Sequence, residues 1–278
     1  MTIALTGASG QLGQLALTAI KARDPAAKVI ALARDPAKIS DTEARAFDYT
    51  KPETLAAGLQ GVSTVVLISS NDFNDRAGQH RAVIDAARAA GVSRIIYTSI
   101  LKGAASPMLL AADHIATEAY LQTSGLATTL LRNGWYTENY TGTLAMSVQH
   151  GAIIGASGEG RISMAARADY AEAIAVTALD AAHSGKTYEL AGDTAHSMAD
   201  FAAEVSKAAG KAVGFVDMPQ ADFAAALKGF GLPEGFAMVL ADVDAHVQNG
   251  ALEDHSHSLS RLIGRPTTPI GQTITAAL

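Results

Sequence analysis

Residues 2–20 read TIALTGASGQLGQLALTAI, and this stretch decides the fold. An apolar, β-branched run at 2–6 breaks into a loop with glycines at 7, 10 and 13. A segment follows in which Leu12, Leu15, Ala19 and Ile20 fall at i, i+3, i+7 and i+8. That spacing predicts one apolar helical stripe packed on a sheet. Strand, glycine-rich turn and helix together read as the opening of a dinucleotide-binding βαβ unit. Gly7 permits the tight turn, Gly10 lets the backbone approach a pyrophosphate, and Gly13 allows close packing of helix on strand. The N–H groups at the helix mouth, around Ser9, Gln11 and Leu12, would face the anion.

The same rhythm continues outward. β-Branched runs at 28–33, 64–69, 94–99 and 128–132 alternate with Ala-rich segments of helical period. VVLI at 65–68 and RIIYTS at 94–99 are apolar on both faces, as expected of central parallel strands covered by helices on each side. Gly91 and Gly125 stand where helix C-terminal glycines belong. The predicted fold class is α/β: a doubly wound parallel sheet with a GxxGxxG variant of the Rossmann loop. Residues 1–132 form the dinucleotide-binding domain. Residues 133–278 form a smaller α/β substrate lobe, interleaved with elements that complete the sheet.

In that second part, GWYTENYTG at 134–142 leads into a helix ending near His150, and GAIIGASGEGR at 151–161 reads as turns. A strand at 187–192 precedes a capping box of Ser197 and Asp200, which opens a helix closed by Gly210. A further strand and helix occupy 212–219 and 220–231. GASG recurs at 155–158, but the motif needs a strand before it and a helix after it, so the second copy is read as a turn.

Composition narrows the chemistry. The chain has 278 residues, 49% hydrophobic and 17% charged, enough apolar material for a large core and too little charge for disorder. A net charge of −6 offers no electrostatic footprint for a nucleic acid or an anionic membrane. No apolar run approaches the roughly 18 residues of a membrane span. MTIAL breaks into TGASG without the basic and apolar regions of a signal peptide, which makes the cytoplasm the expected compartment. The absence of cysteine removes thiolate nucleophiles, Cys-ligated zinc and iron–sulfur clusters, so electron transfer needs a bound organic carrier. The paired His255 and His257 lack a carboxylate constellation, and no metal site is expected. Nor is a hydrolytic triad of Ser99, Asp113 and His114: adjacent Asp and His diverge on a helix, and no GxSxG elbow exists. Nothing in the patterning assigns an oligomeric state.

Cofactor preference is read where the second strand ends. An Asp or Glu there bonds the ribose 2′-hydroxyl of NAD, and an Arg accepts the 2′-phosphate of NADP. Here the strand ends in Arg34, whose guanidinium can fork onto phosphate, with Asp35 and Lys38 beside it. NADPH is expected, with NADH possible.

GxxGxxG resembles the loop of the short-chain dehydrogenase/reductase superfamily. That resemblance implies that Asp48, in RAFDYT, meets the adenine amino group, and that Ser69 and Ser70 flank the ribose and pyrophosphate. The usual acid of the superfamily, a Tyr with a Lys four residues later, is missing. Tyr97 is followed at that distance by Leu101, Tyr120 by Ser124, Tyr136 by Tyr140 and Tyr170 by Ile174. Hydride addition to a ketone makes an alkoxide with a pKa near that of water, whereas a quinone gives a phenolate-like oxygen near 10. The difference, roughly six units or about 8 kcal/mol, lets a quinone do without a dedicated acid.

TGASGQLG, ALARDPAK, AAGVSRIIYTS, HIATE and LLRNGWYTENY resemble the bacterial type 2 NAD(P)H:quinone oxidoreductases. These are atypical, NmrA-like short-chain dehydrogenases close to the triphenylmethane-dye reductases, and the resemblance covers nearly the whole chain. It implies that Gln79 and the segment with Asn133, Glu138, Asn139 and Tyr140 close over the nicotinamide end. Trp135 and Tyr136 would stack a planar acceptor. Where NmrA-like relatives carry a Lys four residues before Glu118, this chain has His114, the one candidate for a catalytic side chain. The expected function is hydride transfer from NADPH to a quinone or related electron-poor aromatic; the alternative is a non-enzymatic NADP-sensing regulator of the NmrA type. Arg34→Ala is expected to weaken NADPH binding far more than NADH binding in a fluorescence titration. Equal losses would count against the 2′-phosphate assignment.

Overall fold

The computed structural model describes residues 1–278. In chain order the elements begin β1 (Thr2–Leu5), α1 (Gln11–Arg23), β2 (Lys28–Ala33), β3 (Glu43–Ala46), α2 (Pro52–Gly58), β4 (Thr64–Leu67), α3 (Arg76–Ala89) and β5 (Arg94–Ile100). They continue with α4 (Ala111–Thr123), β6 (Ala127–Asn133), α5 (Glu138–Thr141), α6 (Leu144–His150), β7 (Ala152–Gly155), β8 (Arg161–Ile162), α7 (Arg167–Leu179) and β9 (Thr187–Leu190). The last are β10 (His196–Ser197), α8 (Met198–Ala209), β11 (Gly214–Asp217), α9 (Gln220–Gly229), α10 (Glu234–Val247), α11 (Ser258–Ile263) and α12 (Ile270–Ala277).

Two compact units result. The first takes residues 1–103, 113–133 and 168–189, and the second takes 104–112, 134–167 and 190–278. The chain therefore changes unit five times, after residues 103, 112, 133, 167 and 189.

The first unit is built on a seven-stranded sheet of order β3-β2-β1-β4-β5-β6-β9, whose strands run parallel. The order reverses direction between β1 and β4, the switch point at which open α/β sheets bind ligands beyond their strand carboxyl ends. Every residue of β4 and β5 is buried, as the two-sided apolar runs require. Ile30, Leu32, Val65, Leu67, Ile95 and Leu121 belong to one hydrophobic cluster of this unit. Gly91 and Gly125 adopt left-handed φ of +74° and +77° behind α3 and α4. Buried Arg94 closes the C-terminal end of α7, donating to the carbonyls of Ala178 and Asp180 at 2.9 Å each, where a cation also meets the negative end of the helix dipole.

Two local expectations are corrected. The buried stripe of α1 runs through Leu12, Ala16, Ala19 and Ile20, whereas Leu15 is 37% exposed. The i, i+4 step from Leu12 to Ala16 puts the smaller residue inward, which brings the helix axis closer to the sheet. β4 ends at Leu67 rather than at 69, because the next two N–H groups leave the ladder: Ile68 donates to Thr6 Oγ1 and Ser69 to Thr98 Oγ1, both at 2.9 Å.

In the second unit, residues 152–155, expected within a run of turns, form β7, whose ladder with β11 is parallel, and β8 pairs antiparallel with β10. The capping box is complete: Asp200 N–H donates to Ser197 Oγ at 3.1 Å and Ser197 N–H to Asp200 Oδ2 at 2.9 Å. The second GASG leaves β7 as a turn with no helix behind it. Its Ala156 N–H donates to Asp244 Oδ2 at 3.0 Å, and its Gly158 N–H to Asp217 Oδ1 at 2.8 Å. No helix is long and apolar enough to cross a membrane.

The tightest backbone approach in the first unit's loop is at Gly13. A Cβ there would stand 2.3 Å from the Gly7 carbonyl oxygen and 2.7 Å from Ala8 Cα, so the third glycine packs α1 on the loop itself rather than on β1. Gly13→Ala is expected to destabilise the protein by about 1–3 kcal/mol in urea unfolding and to weaken dinucleotide binding. Gly142→Ala, with nothing within 4 Å of its Cβ, should stay within about 0.5 kcal/mol of the parent.

Candidate active site

The loop after β1 is shaped by its backbone. Gly7 sits at φ +59°, the left-handed region that favours glycine, and Gly10 N–H donates back to Gly7 O at 2.9 Å. Ala8 N–H donates to Leu32 O at 3.1 Å, which ties the loop to β2. Gly10 is the N-cap of α1 and brings no side-chain oxygen, no acid stands in the first turn, and the first intrahelical bond runs from Gln14 N–H to Gly10 O. Gly7, Gly10 and Gln11 are exposed. An exposed helix start with no side-chain cap and no carboxylate suits a pyrophosphate, so the residues present fit a dinucleotide.

Arg34 is exposed just past β2. Its neighbour Asp35 does not compete for a ribose, because its carboxylate accepts from Ala37 N–H at 3.2 Å and pairs with Lys38 at 3.9 Å. Asp48 lies two residues beyond β3 and accepts from the Thr50 backbone at 3.1 Å and the Thr50 hydroxyl at 2.8 Å. Burial pushes its carboxyl up. The Thr50 hydrogen bonds and the charges of Lys51 and Arg34 outweigh that effect and hold it below the usual range. Asp48 is therefore an anionic acceptor within the field of Arg34, a fitting pair for the adenosine end. Tyr49 anchors this corner, donating to Ile68 O at 2.8 Å and contacting Thr6 Oγ1.

At the carboxyl end of β4 the expected residues come together. Ser70 Oγ donates to Gln79 Oε1 at 2.7 Å, and Gln79 Nε2 donates to Asp72 Oδ2 at 2.6 Å. Arg76 Nε donates to Ser70 O at 2.7 Å while its guanidinium lies 4.5 Å over the Phe73 ring. Behind Ser70 runs a buried chain that sequence reasoning missed. Ser70 N–H donates to His80 Nε2 at 2.9 Å, His80 Nδ1 meets Thr117 Oγ1 at 2.9 Å, and Tyr97 OH meets His114 Nδ1 at 2.8 Å. Burial, reinforced by the Arg76 charge, holds both imidazoles down at a pKa of about 3, so both are neutral at physiological pH. Burial likewise raises Tyr97 beyond the ordinary phenol. The one signal available in the sequence was the i, i+3 placement of His114 and Thr117 on one helix face.

Glu118 is equally committed. It receives Arg132 in a two-pronged ion pair at 2.9 and 2.6 Å and the Ser99 hydroxyl at 2.5 Å, while Arg132 also reaches Glu189 at 2.8 Å. In place of a Tyr–Lys acid pair, α4 carries a neutral His and a charge-paired Glu. Asn133 is buried and ends β6, its carbonyl accepting from Leu101 N–H at 2.9 Å.

In the second unit, Trp135 and Tyr136 are half-buried. Trp135 O accepts from Ala165 N–H at 3.1 Å, and Arg167 stacks 4.7 Å over the Tyr136 ring. Both Glu138 oxygens accept the N–H of Arg167 at 2.9 Å, so this carboxylate pins the segment to the residue that opens α7. Asn139 is exposed. Tyr140 turns its hydroxyl inward, its ring 5.3 Å from Phe201. Burial first, then Asp244, drives its pKa far up, only partly offset by the Trp135 indole.

Known proteins share this fold. Residues 7–181 match the NAD(P)H-binding family. The chain is 48% identical to quinone oxidoreductase 2 of Escherichia coli (strain K12) over 277 residues, 98% of this chain and 97% of that protein. The crystal structure of the E. coli NADPH-dependent quinone oxidoreductase QOR2 complexed with NADPH superposes with a TM-score of 0.95 at 47% identity, covering 99% of each chain. Triphenylmethane reductase of Citrobacter sp., complexed with NADP(H), gives 0.94 at 33% identity over 100% of both chains. The resemblance carried by RNGWYTENY and HIATE is thereby borne out: the chain belongs to the NAD(P)H-binding family and, within it, to the NmrA-like quinone oxidoreductases.

Proposed function

We propose that the protein reduces quinones, or related electron-poor aromatics, at the expense of NADPH. The observation that carries this reading is the pairing of a glycine cradle and exposed Arg34 with an α4 helix whose first turn bears a buried, neutral His114 and no Tyr–Lys pair. Bound NADPH supplies the hydride.

The chain binds and orients. Loop N–H groups around Ser9, Gly10, Gln11 and Leu12 hold the pyrophosphate, Arg34 the 2′-phosphate and Asp48 the adenine amino group. Ser69 and Ser70 flank the ribose and pyrophosphate, and Gln79, held by Ser70 and Asp72, closes over the nicotinamide end. Asn133 and Asn139 offer amides at the nicotinamide end, while Glu138 and Tyr140 act by fixing the segment that carries them. Trp135 and Tyr136 give the acceptor flat apolar faces, which suit a planar ring better than a flexible ketone. The phenolate left by hydride addition is basic only to about pH 10 and takes its proton from water. We assign the protein to the cytoplasm, where its reductant NADPH is regenerated.

Mixing the protein with NADPH and a simple benzoquinone is expected to give acceptor-dependent loss of the reduced-nicotinamide absorbance. An aliphatic ketone should react about 10³-fold more slowly, the range a general acid contributes. Tight NADPH binding without turnover across quinones and dyes would refute the enzyme reading.

A further inference from the structure

The buried chain behind Ser70 has a direction. A backbone amide can only donate, so His80 Nε2 must accept, and a neutral imidazole that accepts at Nε2 carries its proton on Nδ1. That N–H points at Thr117 Oγ1, 2.9 Å away, with Tyr97 OH farther off at 3.4 Å. The Thr117 hydroxyl proton is already given to Asp113 O at 2.7 Å. Tyr97 OH has two ring nitrogens in reach, and because His80 Nδ1 already carries a proton and cannot accept, the Tyr97 proton goes to His114 Nδ1 at 2.8 Å. Neutral His114 must then be protonated at Nε2, and no side chain or carbonyl takes that N–H.

The location of His114 is set by topology. α4 connects two neighbouring parallel strands, β5 and β6, so it runs back across the sheet and its first turn lies at the strand carboxyl ends. His114 is in that first turn, at the same end of the sheet as Ser69 and Ser70, where an α/β sheet binds its ligand. The charged groups acting on the chain are Arg76, which opposes protonation of both imidazoles, and Asp113 and Glu118, which act on Tyr97.

From this geometry we infer that His114 is a neutral Nε2–H hydrogen-bond donor to the acceptor oxygen that gains charge, with Tyr97 and His80 as positioning residues that lock its tautomer. The inference rests on the quinone-reductase reading and deepens it. His114 keeps its proton throughout; it stabilises the phenolate-like oxygen by donation alone, as a preorganised dipole can. A neutral donor also leaves the product oxygen free to depart, since no ion pair has to be broken.

Two measurements test this. Long-range ¹⁵N–¹H spectra of histidine-labelled protein, without acceptor, should show His114 as a single Nε2–H tautomer that does not titrate between about pH 5 and 8. Tyr97→Phe should convert it to a tautomer mixture. A wild-type His114 protonated at Nδ1, or doubly protonated in that range, overturns the inference. In steady-state assays His114→Leu should lower kcat/KM for benzoquinone about tenfold with NADPH Kd unchanged, and His114→Gln, whose amide supplies a donor near the Nε2 position, should restore most of the loss. Full activity in His114→Leu overturns the donor role. Wild-type protein that turns over no quinone overturns the underlying functional reading as well, and is told apart by that wild-type measurement.

Discussion

The whole first unit hangs on one close approach of backbone to backbone. α1 has to begin where β1 ends, with no side chain between them, because the oxygen of Gly7 lies where a Cβ on residue 13 would go. The loop so compressed is stitched to both neighbouring strands. Ala8 N–H reaches β2, Thr6 N–H reaches Val66 O at 3.0 Å, and Thr6 Oγ1 receives Ile68 N–H. β1 is central in the sheet, so anchoring its end places the start of α1 and the ends of β2 and β4 in one rigid corner. Arg34, Asp48 and Ser69 inherit their places from that corner.

A second consequence follows from burying polar groups in pairs. His80, Tyr97, Thr117 and His114 would each be costly inside an apolar sheet layer without partners. Joined in series, they satisfy one another and acquire a polarity that starts from a peptide N–H, which cannot reverse. The ion pairs of Arg132 with Glu118 and Glu189 do related work in charged form, holding α4, β6 and β9 in register. The helix that replaces a Tyr–Lys pair is therefore fixed at its first turn by neutral hydrogen bonds and one turn later by charge.

What can be read from the letters, and what cannot, divides along physical lines. Glycine spacing, a strand-end arginine and alternating apolar runs report local backbone requirements, so the doubly wound sheet, the loop and the Arg34 position are legible in the sequence alone. The helix face of α1 is only partly so: Leu15 and Ala16 compete for the inner side, and the need for a close helix decides for alanine, a tertiary effect. Glu138 and Tyr140 are expected beside the cofactor, yet one carboxylate is spent on the Arg167 amide and one hydroxyl is turned inward. His80 and His114 are separated by 34 positions and meet only through Tyr97, itself on a third element; no periodicity within one helix encodes such a pairing.

The five changes of unit along the chain also have a consequence for biosynthesis. β9, the seventh strand of the sheet, is reached only at residue 187, after residues 134–167 of the other unit have been made. During translation the nascent sheet must therefore wait with an open edge at β6 while a length of foreign polypeptide emerges ahead of its last strand. Neither unit can be released as a contiguous fragment, and a ribosome stalled before residue 187 would present that unpaired strand edge to every other chain nearby.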